Sequence, residues 1–265
     1  MHLLTCLALV GVPAVAIDRR VHSPTGRVLA TALAVWAVLG GRSLARAASE
    51  VGSAVDSDDL AAARVGLPSL CGREPSFLDA DGLVRAAVES VAENTSDAVV
   101  APLVWGAVAG VPGLLLYRAV NTLDAMVGHR SERYTDFGMP AARLDDVVNW
   151  VPARLAAGLA VLFAPLVGGR SADAVRAWRR DAAAHPSPNA GRVEAAFAGA
   201  LGVQLGGPVI YPYGAENRPL LGDGRPVAAG DVARAVQLSQ LVGVASAVLC
   251  AAAVLGVPAW RGAAR

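Results

Sequence analysis

The stretch that most constrains this chain is residues 98–117, AVVAPLVWGAVAGVPGLLLY, which carries no charge at all. About 20 apolar residues are what an α-helix needs to cross the hydrocarbon core of a bilayer. Residues 236–259 form a second run of comparable length. Shorter apolar runs lie near 3–17, 28–40, 155–168 and 195–210. Hydrophobic residues make up 54% of the chain and charged residues only 17%, a balance typical of integral membrane proteins.

We therefore predict an all-α, polytopic integral membrane protein with about four to six apolar helices and polar interhelical loops. Residues 1–265 are expected to form a single membrane-embedded domain. Proline and glycine interrupt several runs, and broken helices at membrane depth are tolerated only where protein or a polar cavity satisfies the freed backbone groups. Some helices are therefore expected to be broken or re-entrant, with 98–117 as the candidate hairpin. Residues 212–230, rich in Gly and Pro, are predicted to form a loop.

Composition excludes several mechanisms. All 23 basic residues are Arg, so the chain has neither a Schiff-base lysine nor a P-loop lysine. Any phosphate must be held by Arg, backbone N–H groups, helix N-termini or a metal. The net charge of +1 gives no reason to expect nucleic-acid binding. The three cysteines are too widely spaced to suggest a zinc site or a disulfide framework.

The segment LVRAAVESVAENTSD, 83–97, carries a row of carboxylates. Glu89 and Glu93 are four residues apart, and Asp97 follows on the same face if the helix persists. Three oxygen ligands on one face suit magnesium. A solvated helix face is the plain alternative, and the two interpretations are about equally supported because an apolar run follows directly.

Polar residues also follow the long apolar run, in NTLDAMVGHR. Asn121 and Asp124 share a helix face, Gly128 suits a C-cap, and His129 and Arg130 come after it. For His129, complementing the helix dipole is the favoured interpretation over catalysis. Further on, in RLDDVVN, the spacing of Asp145 and Asn149 makes them the predicted ligand pair.

Two later segments could handle phosphate. In HPSPNAGRVE, Asn189 is a candidate N-cap, and the helix N-terminus together with Arg192 could bind an anion. A capped helix whose small residues allow close packing explains the same pattern equally well. The loop around Arg218 and the Gly222–Gly224 turn is a weaker candidate, because surface turns look the same.

Seven motifs occur in one order: EN-x-SD, PLxW, NTLDAMVG, FG-x-x-AARLDD-x-x-N-x-x-PAR, HPSPNAG, AGALGVQLGGP and RP-x-LG-x-G. From about Leu44 to about Asp231 the chain thereby resembles the CobD/CbiB family, the adenosylcobinamide-phosphate synthases of cobalamin biosynthesis. The resemblance implies an integral membrane enzyme that joins adenosylcobyric acid to aminopropanol or its O-phosphate. The reaction implied is an ATP-dependent amide ligation, which calls for magnesium and cationic stabilisation of phosphate.

The family motifs and the acidic clusters together give the predicted site residues. The predicted catalytic residues are Glu93, Asp97, Asp124 and Asp145. The predicted substrate- or phosphate-binding residues are Asn94, Asn121, Arg130, Arg143, Asn149, Ser187, Asn189 and Arg218. The predicted magnesium ligands are Glu89, Glu93, Asp97, Asp124, Asp145 and Asp146, with ATP as co-substrate.

The chain departs from the family pattern at two places. Arg130 stands where members usually carry Lys, which keeps a cation but excludes lysine-specific chemistry. The usual N-terminal G-D-P and H-P-V segments are not found, so the N-terminal motif region is expected to be missing. Two other functions stay open: a magnesium-dependent membrane prenyl- or phosphoalcohol transferase, and a non-catalytic membrane scaffold for corrinoid enzymes.

The expected location is the cell membrane, crossed several times, with the active site on the cytoplasmic side. The expected partners are adenosylcobyric acid, aminopropanol or its phosphate, and the lipid bilayer. Other membrane enzymes of the cobalamin pathway are further candidate partners, and nucleic acid is not expected.

Overall fold

The chain is described here by a computed structural model that covers residues 2–128, 135–211 and 213–256. Most of these residues are helical, as the apolar runs predict. In chain order the helices are α1 (His2–Arg20), α2 (Pro24–Val38), α3 (Gly41–Asp56), α4 (Leu60–Gly66), α5 (Ala80–Thr95), α6 (Ala101–Leu123), α7 (Thr135–Val148), α8 (Trp150–Phe163), α9 (Ser171–Asp181), α10 (Ala190–Leu201) and α11 (Ala229–Gly256). Two strands, β1 (Leu205–Tyr211) and β2 (Gly214–Leu221), lie between α10 and α11.

The chain forms two compact units. The first unit comprises Met1–Leu39, Val100–Val148 and Val244–Arg265, in their described parts. The second unit comprises Gly40–Val99 and Asn149–Gly243. Each unit is discontinuous in sequence, so residues far apart along the chain meet within it.

In the first unit, α1 and α2 both pack against α6. Helix α6 breaks at Ala109 and Gly110, where Gly110 has a φ of 65° and Pro112 follows. A Cβ atom at Gly113 would lie 2.4 Å from the carbonyl oxygen of Trp105, eight residues earlier. Residues eight apart in a straight helix are about 12 Å apart along its axis, so the halves of α6 fold back on each other. The predicted hairpin in the 98–117 run is therefore confirmed.

The second unit is built around α10, which packs against α8 and α9. Nearly every residue of α10 is buried, and most are Ala or Gly. A Cβ atom at Gly199 would lie 2.5 Å from the carbonyl oxygen of Asp173 in α9. The small residues thus allow close helix packing, as the structural interpretation of this segment predicts.

A β-hairpin also belongs to the second unit, where the sequence predicts an apolar run followed by a loop. Strands β1 and β2 pair antiparallel, with Val209 opposite Glu216 and Tyr211 opposite Gly214. The register shifts between Leu205 and Gly207, and Gly206 has a φ of 84°. A Cβ atom at Gly206 would lie 2.0 Å from the carbonyl oxygen of Pro219. The two adjacent glycines therefore permit an irregular strand pairing that apolar periodicity does not reveal.

Helices long and apolar enough to cross a membrane are found at four places in the described residues. They are Pro24–Asp56, Ala80–Met126, Trp150–Val167 and Ala229–Gly256. The third helix contains nearly all of the apolar run 155–168, which is shorter than a membrane span. Its helical flank from Trp150 makes the helix long enough. The protein is therefore a predominantly helical membrane protein with several apolar helices, as predicted.

Candidate functional site

An acidic cluster lies in the first unit, where the end of α6 meets α7. Asn121 is in the last turn of α6, and Asp124 begins a π-helical turn, Asp124–Gly128. The Asn121 side-chain amide donates to an Asp145 carboxylate oxygen on α7 at 3.4 Å. The Arg118 guanidinium donates to the Asn121 carbonyl oxygen, also at 3.4 Å. Asn121, Asp124, Asp145 and Asp146 are all half-buried. The structure thus brings two predicted motifs together.

The carboxylates of this cluster repel one another. Burial, and then the negative charge of Asp124, raises the pKa of Asp146 above its usual range. Like charges held close together suit a divalent cation, because the cation removes the repulsion. Magnesium usually takes one or two carboxylates together with waters and phosphate oxygens. Asp124 and Asp146, whose charges act on each other, offer the one or two carboxylates that magnesium usually takes.

Several predicted residues fall outside this cluster. Arg143 is exposed on α7. His129 and Arg130 lie outside the described residues. Asn149 precedes α8 in the second unit and is almost fully buried. In the part of the chain that the structure describes, no three His, Cys, Asp or Glu side chains are grouped so as to hold a metal ion.

The three carboxylates predicted to share a face around α5 have different environments. Helix α5 ends at Thr95, and Asp97 lies in a π-helical turn, Ser96–Val100, so the α-helix does not persist as the shared face requires. Glu93 is exposed, Asp97 is half-buried, and Glu89 is buried. Asn94 turns back on α5 and donates to the Ser90 carbonyl oxygen at 3.0 Å.

Glu89 forms a buried ion pair with Arg73. Its other carboxylate oxygen accepts a hydrogen bond from the Gly206 backbone N–H at 2.6 Å. Burial alone would lower the pKa of Arg73, but the charge and hydrogen bond of Glu89 outweigh burial and raise it. Glu89 therefore joins α5 to the β-hairpin and to the loop before α5. A magnesium ion at Glu89 would have to displace a guanidinium, so this predicted ligand fits the metal less well than the first-unit aspartates.

Arg218 on β2 is held by two neighbours. One terminal nitrogen lies 3.0 Å from His185 Nε2, and the other donates to the Tyr211 hydroxyl at 2.7 Å. Burial, and then the charge of Arg218, lowers the pKa of His185. Accepting from Arg218 at Nε2 puts the proton of a neutral imidazole on Nδ1, which lies 3.3 Å from the Ser187 carbonyl oxygen and 3.1 Å from the Ser187 backbone nitrogen. The guanidinium is therefore held in position by a neutral histidine.

Glu194 is a buried carboxyl group within α10, 3.7 Å from His185 Nε2. Burial first, and then the charges of Glu89 and Glu93, raise its pKa well above the usual range. The raised pKa favours the uncharged carboxylic acid at this buried position, next to an imidazole whose lowered pKa favours its neutral form. A protonated Glu194 does not neutralise Arg218, whose charged neighbour among the described carboxylates is then Glu216, 3.8 Å from Nε.

The start of α10 is capped from within the chain. Ser187 Oγ accepts from the backbone N–H groups of Asn189 at 3.3 Å and Ala190 at 3.1 Å. The predicted phosphate site at these N–H groups is therefore not open, and the capped-helix interpretation describes them better. Two guanidiniums do lie nearby: Arg192 is close enough to Arg154 for their charges to repel, and Arg154 donates to the Asn189 side-chain oxygen at 3.4 Å.

Four residues of the second-unit network were not among the predicted site residues: Arg73, Tyr211, His185 and Glu194. The sequence did carry a signal for Glu194, because it places a charged residue among small apolar residues of a predicted helix. A charge buried in such a helix seldom lacks a role. The partners of Glu89 and Arg218 could not be identified, because each is far away in the sequence.

Comparison with known proteins agrees with this architecture. The family described as CobD/Cbib protein matches residues 1–239. A cobalamin biosynthesis protein CobD from Mycobacterium tuberculosis is 55% identical over 249 residues, which cover 94% of this chain and 79% of that protein. The protein of the same name from Rhodobacter capsulatus is 44% identical over 242 residues, 89% of this chain and 75% of its own. No solved structure matches. This membrane protein belongs to the CobD/CbiB family.

Proposed function

We propose that this chain acts in cobalamin biosynthesis by joining a carboxylate of the corrinoid adenosylcobyric acid to the amine of aminopropanol or its O-phosphate. ATP would activate the carboxylate by phosphoryl transfer. The amine nitrogen would then form the amide bond as the carbon–oxygen bond to phosphate breaks. Family membership supports the pathway. Each unit has a polar network of its own that bears on the chemistry.

The observation that carries the proposal is the state of Arg218. Of its five N–H groups, one donates to Tyr211 and one faces His185, while its Nε has no hydrogen-bond partner among the described residues. The nearest carboxylate oxygen to Nε, on Glu216, is 3.8 Å away. A chain without lysine must hold phosphate largely through arginine. Arg218, held by Tyr211 and His185, is therefore the proposed phosphate-binding residue.

Glu194 and His185 would act through Arg218. A neutral His185 accepts a hydrogen bond from the guanidinium and so fixes its plane, while a protonated Glu194 leaves its charge intact. An ionised Glu194 would attract Arg218 and repel an incoming phosphate. We therefore assign both as positioning residues.

The amine must lose a proton before it attacks, and Glu93 is the candidate acceptor. Glu93 is exposed on α5, and its charge acts on the buried Glu194. An exposed carboxylate can receive the proton and release it to solvent. Asp124 and Asp146 would supply carboxylates to magnesium, with Asp145 held beside them by Asn121. When bound, magnesium neutralises phosphate charge during phosphoryl transfer.

The test is an assay of the detergent-purified chain with adenosylcobyric acid, ATP, magnesium and either aminopropanol or its phosphate. Arg218→Gln should raise the KM of the phosphate-bearing substrate that it binds by roughly tenfold or more, the usual cost of a lost charge-assisted hydrogen bond. If that substrate is the amine, the effect should vanish with unphosphorylated aminopropanol. If it is the nucleotide, the KM of ATP should rise with both amines.

Arg46→Gln is the matched control, because Arg46 lies on α3 with its side chain 77% exposed. It should leave both KM values unchanged. Unaltered KM values in Arg218→Gln would contradict the assignment of Arg218. A wild-type chain that binds the corrinoid but forms no product would instead support the scaffold function.

A further inference from the structure

A cavity of about 260 Å³ lies in the first unit, away from the acidic cluster along α6. The turn between α1 and α2 forms one side, and the break in α6 forms the other. Its volume is just below the ~300 Å³ at which pockets for drug-sized ligands begin. The cavity therefore suits a small polar group.

The lining contains one carboxylate and one guanidinium, from Asp18 and Arg27. They form no ion pair with each other, and the one hydrogen bond of the Arg27 side chain runs from Nε to the Val21 carbonyl oxygen at 3.1 Å. Within the described residues, both terminal nitrogens of Arg27 therefore lack a partner. A carboxylate and a guanidinium that line one cavity without pairing complement a ligand with one positive and one negative group.

The break in α6 adds backbone groups to this lining, through Ala109, Gly110 and Val111. A helix break leaves carbonyl oxygens at the end of one half and N–H groups at the start of the other. These groups need polar partners at membrane depth. A ligand with both an acceptor and a donor can satisfy them.

Exposed apolar residues occur in the cavity lining and next to it in the sequence. Ile17 is 54% exposed and lines the cavity, while Val28 and Val108, each next to a lining residue, are 68% and 61% exposed. A soluble ligand gains nothing from such residues. A lipid does, because its acyl chains cover apolar side chains while its headgroup fills the polar part.

We propose that this cavity binds the headgroup of a zwitterionic phospholipid with a primary ammonium. Arg27 holds the phosphate, Asp18 holds the ammonium, and the acyl chains lie against Ile17, Val28 and Val108. The site is independent of the ligation reaction. It differs from the acidic cluster in taking a group of both signs rather than a metal ion.

The test uses the full chain, stripped of lipid in detergent and titrated by native mass spectrometry. The probes are phosphatidylethanolamine, phosphatidylglycerol and chainless glycerophosphoethanolamine. Wild type should bind phosphatidylethanolamine several-fold more tightly than phosphatidylglycerol, and should bind the chainless compound at least tenfold more weakly. Arg27→Gln should weaken phosphatidylethanolamine binding roughly tenfold. Asp18→Asn should retain binding but lose the preference between the two lipids.

Arg20→Gln is the matched control, because Arg20 ends α1 beside the same turn but does not line the cavity. It should change each affinity less than twofold. Arg27→Lys keeps the charge but loses the fork of donors, and an intermediate affinity is expected even if Arg27→Gln folds poorly. Equal affinity for the two lipids in wild type, or equal losses in Arg20→Gln and Arg27→Gln, would overturn the proposal. Binding of glycerophosphoethanolamine as tight as that of the lipid would overturn the lipid as its source.

Discussion

The polar clusters of the two units differ in the signs of the charges that they bring together. The first-unit cluster is acidic and half-buried, and its carboxylates come from two short motifs. The second-unit network is buried and mixed in sign, and it joins α5, α10, the β-hairpin and two loops. Carboxylates held close together suit an added cation, whereas the mixed network pairs most of its charges within itself.

The strongest test of this contrast is to break the buried Arg73–Glu89 pair. Glu89→Leu leaves a guanidinium buried without a counter-charge and should lower the free energy of unfolding by about 3–5 kcal/mol. The double variant Arg73→Met, Glu89→Leu removes both charges and should recover much of that loss. Thermal or SDS-induced unfolding in detergent would measure both. Equal losses in the single and double variants would mean that the pair is not what stabilises the network.

In the first unit, a change of charge should affect metal dependence rather than folding. Asp124→Asn should raise the magnesium concentration for half-maximal activity by about tenfold or more, as the loss of a ligand or of its support does in other metal sites. It should also lower the pKa of Asp146 by removing the neighbouring negative charge. Glu50→Gln, at a glutamate 68% exposed on α3, is the control. An unchanged magnesium requirement in Asp124→Asn would remove the magnesium assignment from this cluster.

The contrast also explains what the sequence could predict. Spacing predicts that Asn121 and Asp124 share a helix face, but it pairs Asp145 with Asn149, whereas in the structure the Asn121 amide contacts Asp145. The break at Ala109 and Gly110 was visible as Gly and Pro in an apolar run.

The network around Arg218 was not predictable in this way. Its contacts to Tyr211 and His185 depend on a β-hairpin that the sequence presents as an apolar run and a Gly-Pro loop. Long-range pairing of this kind has no local periodicity. In the sequence, Glu89 likewise belongs to a row of carboxylates on one helix face. Its partners Arg73 and Gly206 are far from it in the sequence, so the pattern does not predict them.

The protonation of Glu194 gives a test on the alkaline side. Because its pKa is raised in the folded protein, the folded state binds the proton more tightly than the unfolded state does. The resulting stabilisation is complete below the ordinary glutamate pKa of about 4.5 and is lost as pH rises through the raised value. Glu194→Gln imitates the protonated form and should flatten this decline in a pH series of melting temperatures. A variant as pH-dependent as wild type would show that titration of Glu194 does not cause the decline.

His185 gives the opposite dependence, on the acid side. Its pKa is lowered in the folded protein, so stabilisation is present above the ordinary histidine pKa of about 6.5 and is lost as pH falls through the lowered value. Protonation also removes the acceptor for Arg218. His185→Gln keeps an acceptor that does not titrate, and should reduce the acid-side loss of both stability and phosphate affinity, by an amount of order 1 kcal/mol. If stability and phosphate affinity fall with decreasing pH in His185→Gln as they do in wild type, a group other than His185 causes the loss.

The smallest expected effect concerns Arg154 and Arg192, two guanidiniums of the second unit that are close enough for their charges to repel. Arg154 stacks on Trp150, with its guanidinium carbon 4.1 Å from the ring centre, and Arg192 Nε is buried without a hydrogen-bond partner among the described residues. Arg192→Gln removes the repulsion and should raise the free energy of unfolding by a few tenths of a kcal/mol, roughly 0.3. If the pair binds an anion, inorganic phosphate should raise the melting temperature of wild type but not of Arg192→Gln. Equal phosphate shifts in both proteins would show that phosphate does not bind through Arg192.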